Sequence, residues 1–477
     1  MPVELDMHRW FIGLLGGIVG ALIASIIIGV IYYLSGSRKR RLYKSKLLSR
    51  LETADMLLKE NMTLDALAIL TDLLAHTAGG QDPEIYAHIK NSEGKCYYTL
   101  ALSGNPRENL SRALQAYEEA LRYLSLQKLS DEYALTQYNR GDAYMRLSGF
   151  YEREKSLAAA INAFNEAARV YTAEQFPASY AVVQNNLGRL YKDLAEHRNR
   201  EENIAKAIHA FEEALRIYTF ETYPVNYATA YNDLGHLYRS LAEQRDEKQN
   251  LLKAVDAYEE AIRVYNSDEY PVEFAQIQKN IGDCYRMLSE ADHDGDAMMS
   301  AVKAYERALR VYTADRFPLE YAAVHMCRGS VYRALAALRE RNDNLSEAVR
   351  SFTEAATVYM LDRHPAEYAS AQDSLGDLYL MFYEGADDEE MLHKSVQAFG
   401  EALRVRTIQD APRDYASLQL RLGNVYRNLA KVRDKEEYLT KAGQAYQEAL
   451  KIFTNENYPM EHREVLFALD MVRRTTS

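Results

Sequence analysis

Five basic residues recur on a single 47-residue spacing that is interrupted only by Leu380: Lys192, Arg239, Arg286, Arg333 and Arg427. Guanidinium and ammonium groups form charge-assisted hydrogen bonds with carboxylates. The chain as a whole is acidic, with a formal net charge of -12, so this repeated line of cations is a local exception. The line, called the basic lane below, predicts a surface that binds acidic side chains or a C-terminal carboxylate.

The same spacing governs the residues that must position the basic lane. Prolines share one register, with Ser130 as the only substitution inside it: Pro83, Pro177, Pro224, Pro271, Pro318, Pro365, Pro412 and Pro459. Glycines follow without interruption at Gly94, Gly141, Gly188, Gly235, Gly282, Gly329, Gly376 and Gly423. A tyrosine stands three residues after each glycine. Three residue types in one register indicate a tandem repeat of one structural unit.

Each repeat is predicted to form two amphipathic helices joined by a polar loop. In the repeat that begins at Pro177, one helical stripe continues at steps of three and four as far as Leu194. Pro177 suits the first turn of a helix, where no backbone N–H is needed. We expect Asn203 to cap the second helix, whose apolar face begins at Ile204. Because Gly and Pro are also sparse, the sequence predicts an all-α fold of stacked helix pairs.

The second helix of every repeat carries a small, an aromatic and a small residue, as in Ala207, Phe211 and Ala214. With the glycine and tyrosine of the first helix, this pattern resembles the tetratricopeptide repeat. The resemblance implies a right-handed α-solenoid of helix hairpins. The 47-residue period departs from the family's usual period of about 34. Glutamine mostly replaces the family's first-helix tryptophan, which predicts an amide ladder between adjacent first helices, with a ligand role as the alternative: Gln137, Gln184, Gln278, Gln372 and Gln419.

In tetratricopeptide proteins one face of the first helices lines a concave groove that binds peptides. The resemblance therefore implies that the basic lane and the residues beside it face such a groove. The candidate peptide-binding residues are Asn185, Arg189, Lys192, Asn232, His236, Arg239, Lys279, Arg286, Arg333 and Arg427, with Asp283 and Ser330 beside them. The alternative is that these cations pair with acids on neighbouring helices and only stabilise the stack.

Two further comparisons with the family limit this interpretation. The carboxylate clamp of chaperone-binding members is not reproduced, because Asp233, Gln276 and Asn280 occupy its asparagine, lysine and arginine positions. A second set of arginines lies near the ends of second helices, where interaction with the helix dipole accounts for them: Arg122, Arg169, Arg216, Arg263, Arg310 and Arg404.

The N-terminal part of the chain predicts a membrane anchor. Residues 10–34 carry no charge and are long enough to cross a bilayer as one helix. Trp10 stands at one end and Tyr32 and Tyr33 at the other, as in interfacial belts, and residues 35–50 contain basic side chains and no acid. We therefore expect a single-pass membrane protein with its N-terminus outside and its repeats in the cytoplasm. A cleaved signal peptide is the alternative, but its positive charge would precede the apolar segment.

The anchor predicts two further contacts at the membrane. Anionic lipid headgroups are expected near Arg38, Lys39, Arg40 and Arg41. A face of small residues favours either a homo-oligomer packed through it or the ordinary composition of a membrane helix: Gly13, Gly17 and Ala21.

The expected order of segments follows from the anchor and the register. It comprises a short extracytoplasmic segment (1–9), a transmembrane helix (10–34), a basic juxtamembrane segment (35–50), a degenerate first tetratricopeptide unit (51–82), eight helix pairs (83–458) and a C-terminal capping helix (459–477). In the capping helix Asp470 replaces the glycine, and Arg473 and Arg474 add charge. This helix is therefore expected to give the stack a solvated end.

The sequence contains none of the common catalytic motifs. The phosphate-binding GxxxxGK[ST], the metal-binding HExxH and the nucleophilic GxSxG patterns are all missing. Cys96, Cys284 and Cys327 have neither zinc-site nor disulfide spacing and are expected in the core. We therefore expect no enzymatic activity, no metal and no cofactor, and the acidic composition argues against general nucleic-acid binding.

These features predict a membrane-anchored scaffold or adaptor that binds protein or peptide partners, with acidic segments, at the cytoplasmic side of a membrane. Two other functions stay open. One is a spacer or assembly factor of a membrane complex. The other is an import or co-chaperone receptor, which rests on architecture alone.

Overall fold

A computed structural model describes residues 42–77, 82–126, 130–292, 294–386 and 388–476. The predicted transmembrane segment at residues 10–34 and the basic residues 38–41 lie outside the described residues. Within the described ranges, no helix combines the length and apolar character that a membrane span requires.

The chain divides into two compact units, Met1–Ile217 and Tyr218–Ser477. The described part of the first unit contains α1 (42–59), α2 (Thr63–His76), α3 (Pro83–Ser103), α4 (Pro106–Leu121), α5 (Ser130–Leu147), α6 (Arg153–Ala168), α7 (Pro177–Ala195) and α8 (Arg200–Leu215). The second unit contains α9 (Pro224–Ala242), α10 (Glu247–Ile262), α11 (Pro271–Asp292), α12 (Gly295–Leu309), α13 (Pro318–Leu335), α14 (Arg341–Val358), α15 (Pro365–Ala386), α16 (Glu389–Leu403), α17 (Pro412–Val432), α18 (Lys435–Leu450) and α19 (Pro459–Thr476). The described residues contain no β-strand, so the predicted all-α repeat of helix pairs is confirmed there.

Each unit is built from helix pairs of the same design. From α3 onward, every odd-numbered helix packs along the even-numbered helix that follows it, as α9 does along α10. Within a unit, the even-numbered helix then contacts the next odd-numbered one, as α10 contacts α11. The odd-numbered helices are called first helices below, and the even-numbered ones second helices.

The recurring glycine lets the two helices of a pair approach closely. A Cβ atom at Gly235 would lie 2.5 Å from Cε1 of Tyr258, whose ring is fully buried on the second helix. Gly188 and Phe211 repeat the relationship in the first unit, at 2.9 Å. Because the aromatic ring occupies the volume of the missing side chain, glycine and aromatic residue must recur together.

The second helices begin earlier than the sequence predicted. Asn203 does not cap α8, because this helix already begins at Arg200 after Asn199, which has a φ of 46°. Asn203 is instead buried in the first turn, where its Nδ2 donates to the carbonyl of Arg198 at 2.8 Å. Asn250 and Asn344 make the same bond at the start of α10 and α14. The side chain therefore closes the loop within a pair rather than satisfying a helix N-terminus.

A tyrosine near the start of the first helix joins it to the end of the second helix. Tyr321 donates to Glu354 at 2.7 Å, and Tyr415 donates to Glu448 at 3.0 Å. The same bond, separated by 33 residues each time, recurs at Tyr133–Glu166, Tyr180–Glu213, Tyr227–Glu260 and Tyr368–Glu401. This tyrosine clip is a part of the repeat that sequence reasoning missed.

The arginines at the ends of second helices take part in the same clip. Arg216 pairs with Glu213 at 2.7 Å, and Arg404 pairs with Glu401 at 2.7 Å. The helix dipole is therefore an incomplete explanation of Arg169, Arg216, Arg263 and Arg404, since each of these four pairs with the glutamate that accepts the tyrosine hydroxyl.

Helix α1 includes residues 42–50, which the sequence analysis assigned to a basic juxtamembrane segment. Leu47 and Leu51 are buried with Ala54 against α2 and α3, which explains why the helix includes this stretch. Its basic side chains point away from that core: Arg50, for example, pairs with Asp72 on α2 at 2.5 Å. The first pair therefore starts upstream of residue 51.

Candidate partner-binding face

The candidate residues occupy three columns along the first helices. They stand three residues before, one residue after and four residues after the repeat glycine. The glycine itself faces the second helix of its own pair, so these columns lie to one side of that contact. They are called the first-helix face below, and the face of each unit is described separately.

In the first unit, α7 carries Asn185, Arg189 and Lys192. Arg189 is exposed, and Lys192 is partly buried. Both cations act on the neighbouring Asp193, whose pKa is raised by burial and lowered again by Lys192 and Arg189. The Oδ1 atom of Asn185 is buried without a hydrogen-bond partner in the described protein. One helix therefore offers two cations and an unused amide oxygen.

In the second unit, Asp283 is the centre of the largest group of predicted residues. Its Oδ2 atom lies 2.7 Å from Nζ of Lys279 on the same helix and 3.7 Å from Nη1 of Arg239 on α9. Its Oδ1 atom accepts a hydrogen bond from the hydroxyl of Tyr305 at 2.8 Å. The structure thus brings Lys279 and Arg239 together, and it does so through an acid.

Of the other candidates on α9 and α11, His236 and Arg286 have side-chain partners within the protein, whereas an amide oxygen of Asn232 has none among the described residues. The Nδ1 atom of His236 lies 3.1 Å from the hydroxyl of Tyr258, which is the aromatic residue of the same pair. Arg286 donates to Glu290 one turn along its own helix at 2.5 Å. The Oδ1 atom of Asn232 is buried and has no hydrogen-bond partner among the described residues. Amide oxygens without partners therefore recur in the same column of both units.

The remaining members of the basic lane lie on α13 and α17. Arg333 lies 3.9 Å from Oδ2 of Asp377 on α15, and Ser330 donates to the carbonyl of Met326 in its own helix. Leu380 interrupts the lane on α15, as the sequence shows. Arg427 on α17 is partly buried, and no ion pair of this residue occurs within the described part of the chain. Within the described chain, Arg239, Arg286 and Arg333 thus each lie beside an acid, and Arg427 differs from them.

A partly buried charge network next to the lane was missed by sequence reasoning. Arg421 on α17 contacts both carboxylate oxygens of Asp377 at 3.0 Å and Asp373 at 2.6 Å. Arg406 also donates to Asp373, at 3.0 Å. Burial raises the pKa of Asp377, and the Arg421 guanidinium opposes that shift. The available signal was Arg421 itself, which stands two residues before the repeat glycine, where other pairs have Ser, Asn, Asp or Cys.

The predicted ladder of glutamine side chains between adjacent first helices is not seen in the hydrogen bonds of Gln137 and Gln278. Gln137 donates to the hydroxyl of Tyr133, four residues earlier in the same helix, at 3.1 Å. Its Oε1 atom accepts from Arg140, also in that helix, at 3.2 Å. Gln278 is buried, and neither of its amide atoms has a hydrogen-bond partner in the described chain. Gln137 therefore supports the tyrosine clip within its own helix, and neither Gln137 nor Gln278 shows a bond to a glutamine of a neighbouring helix.

The His, Cys, Asp and Glu side chains are the ones that could hold a metal ion or act as nucleophiles. Within the described ranges, no group of three or more His, Cys, Asp or Glu side chains is placed to hold a metal ion. Cys96 and Cys284 are buried, and burial raises the pKa of each thiol to about 12. Such thiols stay protonated at neutral pH and are poor nucleophiles.

Comparisons with known proteins concern the fold. No model of a protein family and no curated protein matches the sequence. The C-terminal part of a tetratricopeptide repeat-containing protein from Cytophaga hutchinsonii is 15% identical, with 68% of this chain and 99% of that chain covered and a TM-score of 0.45. A tetratricopeptide repeat protein from Parabacteroides merdae is 16% identical, with 70% and 98% covered and a TM-score of 0.34.

Proposed function

We propose that this chain is an adaptor that is anchored in a membrane through residues 10–34 and binds protein partners through its first-helix face, without catalysing a reaction. The anchor is an inference from the sequence, because those residues lie outside the described ranges. A binding role is supported by the tandem helix pairs, which present the same columns of side chains repeatedly along each unit.

The observation that carries the binding role is how weakly the basic lane is neutralised. Arg239 and Arg333 lie 3.7 Å and 3.9 Å from their aspartates, which is longer than a hydrogen bond. Arg286 is bonded to Glu290, whose side chain is 63% exposed, and exposed pairs of this kind contribute only about 0–1 kcal/mol. The guanidinium groups therefore keep donors that a partner's carboxylates can use at small cost.

The test is proximity labelling with the full-length protein, comparing the natural chain with two double variants. Arg239→Gln with Arg333→Gln removes two charges of the basic lane while keeping side-chain length. Arg263→Gln with Arg404→Gln removes two charges from second-helix ends of the same unit and is the matched control. We expect the lane variant alone to lose partner labelling, with unchanged circular dichroism spectra in both. Equal labelling by both variants would refute binding by the lane.

A second candidate function, a spacer in a membrane complex, is favoured by the same ion pairs. Arg239–Asp283 and Arg333–Asp377 connect adjacent first helices and so stabilise the stack. If the chain is a spacer, the lane variant should lower the melting temperature and leave partner labelling intact. Carbonate extraction of membranes tests the anchor separately, since a spanning protein stays in the pellet and a peripheral one is released.

A further inference from the structure

The last member of the basic lane differs from the others in what stands beside it. Arg239 and Arg333 each lie next to an aspartate 44 residues further on, Asp283 and Asp377, on the next first helix. The residue 44 positions after Arg427 is Met471, on α19. Helices α17 and α19 contact each other, as α11 and α13 do. The register therefore places a thioether where Arg239 and Arg333 have a carboxylate and Arg286 has Ser330.

The helix beside Arg427 also exposes apolar side chains. Met460, Phe467 and Met471 recur at steps of seven and four, which places them on one face of α19. They are 69%, 68% and 44% exposed. The capping helix was expected to be polar, and Asp470 and Arg474 do form an exposed ion pair on it. The apolar stripe lies on a different part of the same helix.

The position of Phe467 shows that this stripe continues the first-helix face. Phe467 stands three residues before the glycine position, in the column of Asn185 and Asn232. Its counterpart one repeat earlier is Leu420, which is buried in a cluster with Val465 and Leu469 of α19. Within the described chain, Leu420 of α17 is therefore covered by the following first helix, whereas Phe467, the equivalent residue of α19, is exposed.

We propose that Arg427, Phe467 and Met471 form one recognition site for a peptide segment of a partner protein in which acidic and bulky apolar side chains alternate. The proposal rests on the partner-binding function proposed above and names the chemistry of the partner at one end of the face. Arg427 binds the acidic side chain, while Phe467 and Met471 cover the apolar one.

Charge complementarity selects this occupant over a purely apolar one. Glu464 is an acid on α19, and the charges of Arg427 and Glu464 both influence the pKa of Tyr446, the first lowering it and the second raising it. No ion pair joins Glu464 to Arg427 among the described residues. A purely apolar occupant would leave the Arg427 guanidinium desolvated beside it without a counter-charge, which is unfavourable. An acidic side chain next to the apolar one supplies that charge, and the flexible Met471 adapts to the shape of the apolar group.

The test measures binding of fluorescein-labelled peptides to the full-length chain in detergent by fluorescence anisotropy. The probe is a peptide with capped ends and the core Leu-Glu-Phe-Glu-Leu. Its two controls carry the cores Leu-Gln-Phe-Gln-Leu and Ser-Glu-Ser-Glu-Ser. A fourth peptide has the glutamine core and a free C-terminus as its only carboxylate. We expect the probe to bind about tenfold more tightly than each of the other three, as one favourable contact is lost in each.

The variants then assign the binding to the site. Arg427→Gln and Phe467→Ser should each weaken binding of the probe about tenfold. Lys431→Gln and Val432→Ser, at exposed positions of α17, are the matched controls and should leave binding unchanged. Equal effects of Arg427→Gln and Lys431→Gln would overturn the proposal, as would tightest binding of the peptide with a free C-terminus. If these peptides fail while partner labelling still depends on Arg239 and Arg333, the site is wrong and the proposed function stands.

Discussion

The hydroxyl of Tyr227, in the first turn of α9, donates a hydrogen bond to the carboxylate of Glu260, near the end of α10. Arg263 donates to the same carboxylate oxygen, Oε2, at 2.5 Å. The bond from Tyr227 is the largest of the effects that lower the pKa of Glu260, and burial and Glu260 together raise the pKa of Tyr227. The carboxylate of Glu260 thus joins the start of α9 to the end of α10. The contact of Gly235 with Tyr258 joins the same two helices near their middle.

The tyrosine clip predicts a loss of stability in acid. The pKa of Glu213 and Glu260 is lower in the folded chain than the ordinary 4.5, so the clip contributes fully above that pH and is lost as pH falls through the folded pKa. Tyr180→Phe with Tyr227→Phe removes the bond and keeps the ring. We expect the melting temperature of this variant to fall less between pH 5 and pH 3 than that of the natural chain, by calorimetry. If the melting temperatures of the natural chain and the variant fall equally between pH 5 and pH 3, the role of the clip is contradicted.

The close contact of Gly235 with Tyr258 predicts opposite effects for two glycine-to-alanine changes. In Gly235→Ala the new methyl group meets the buried ring, and overpacking of this kind costs about 1–3 kcal/mol. Gly400 lies in the interior of α16, and a Cβ atom there meets nothing within 4 Å. Gly400→Ala should therefore stabilise the chain by about 0.5–1 kcal/mol through helix propensity. Urea denaturation measures both, and stabilisation by both changes would contradict the packing argument.

The buried imidazole of His325 predicts a second, separate dependence on pH. Burial, reinforced by the charge of Arg328, lowers its pKa to about 4. Since the unfolded histidine takes up a proton near its ordinary pKa of 6.5, stability should decline as pH falls from 6.5 toward 4. His325→Gln introduces the residue that five other pairs carry at this position. We expect the variant to lose part of this decline, measured as the urea midpoint at pH 7 and pH 5.

Arg421 predicts a large effect of removing one buried cation. Arg421→Ala leaves Asp373 and Asp377 close together and partly buried, and breaking such a network costs about 3 kcal/mol. Arg413, on the same helix, is 70% exposed and lies 3.9 Å from Glu461, so Arg413→Ala should change the free energy of unfolding by only about 0.5 kcal/mol. Chemical denaturation distinguishes the two, and similar values would show that the network is solvated.

The fold was predictable because the residues that build it repeat. The 47-residue register predicted the first helices from Pro177 onward, and the helical stripes predicted their partners. The start of α8 was missed because Asn203 was assigned to a cap, and sequence alone does not show that its amide folds back onto the loop. The tyrosine clip was available in principle, since a tyrosine and a glutamate stand 33 residues apart, as Tyr227 and Glu260 do, in seven of the repeats.

The candidate site was less predictable, for a physical reason. The columns of the first-helix face follow from periodicity, and Arg239 and Arg333 do lie on them. Which acid neutralises each cation depends on the neighbouring helix, and Asp283 and Asp377 stand in positions that vary from pair to pair. The same dependence hid the contrast at Arg427, which becomes visible only once adjacent first helices are aligned.

The repeated glycine contact has a consequence for how the chain reaches its native state. Because each pair offers the same glycine and a similar ring, a first helix can form this contact with the second helix of another pair during folding. Ion pairs that do not recur along the repeat therefore identify the correct neighbour: Arg328–Glu347 and Arg406–Asp373. These non-repeating contacts thus make the native pairing of helices more stable than a mispaired one. They disfavour misassembled and domain-swapped forms, the characteristic failures of repeat proteins.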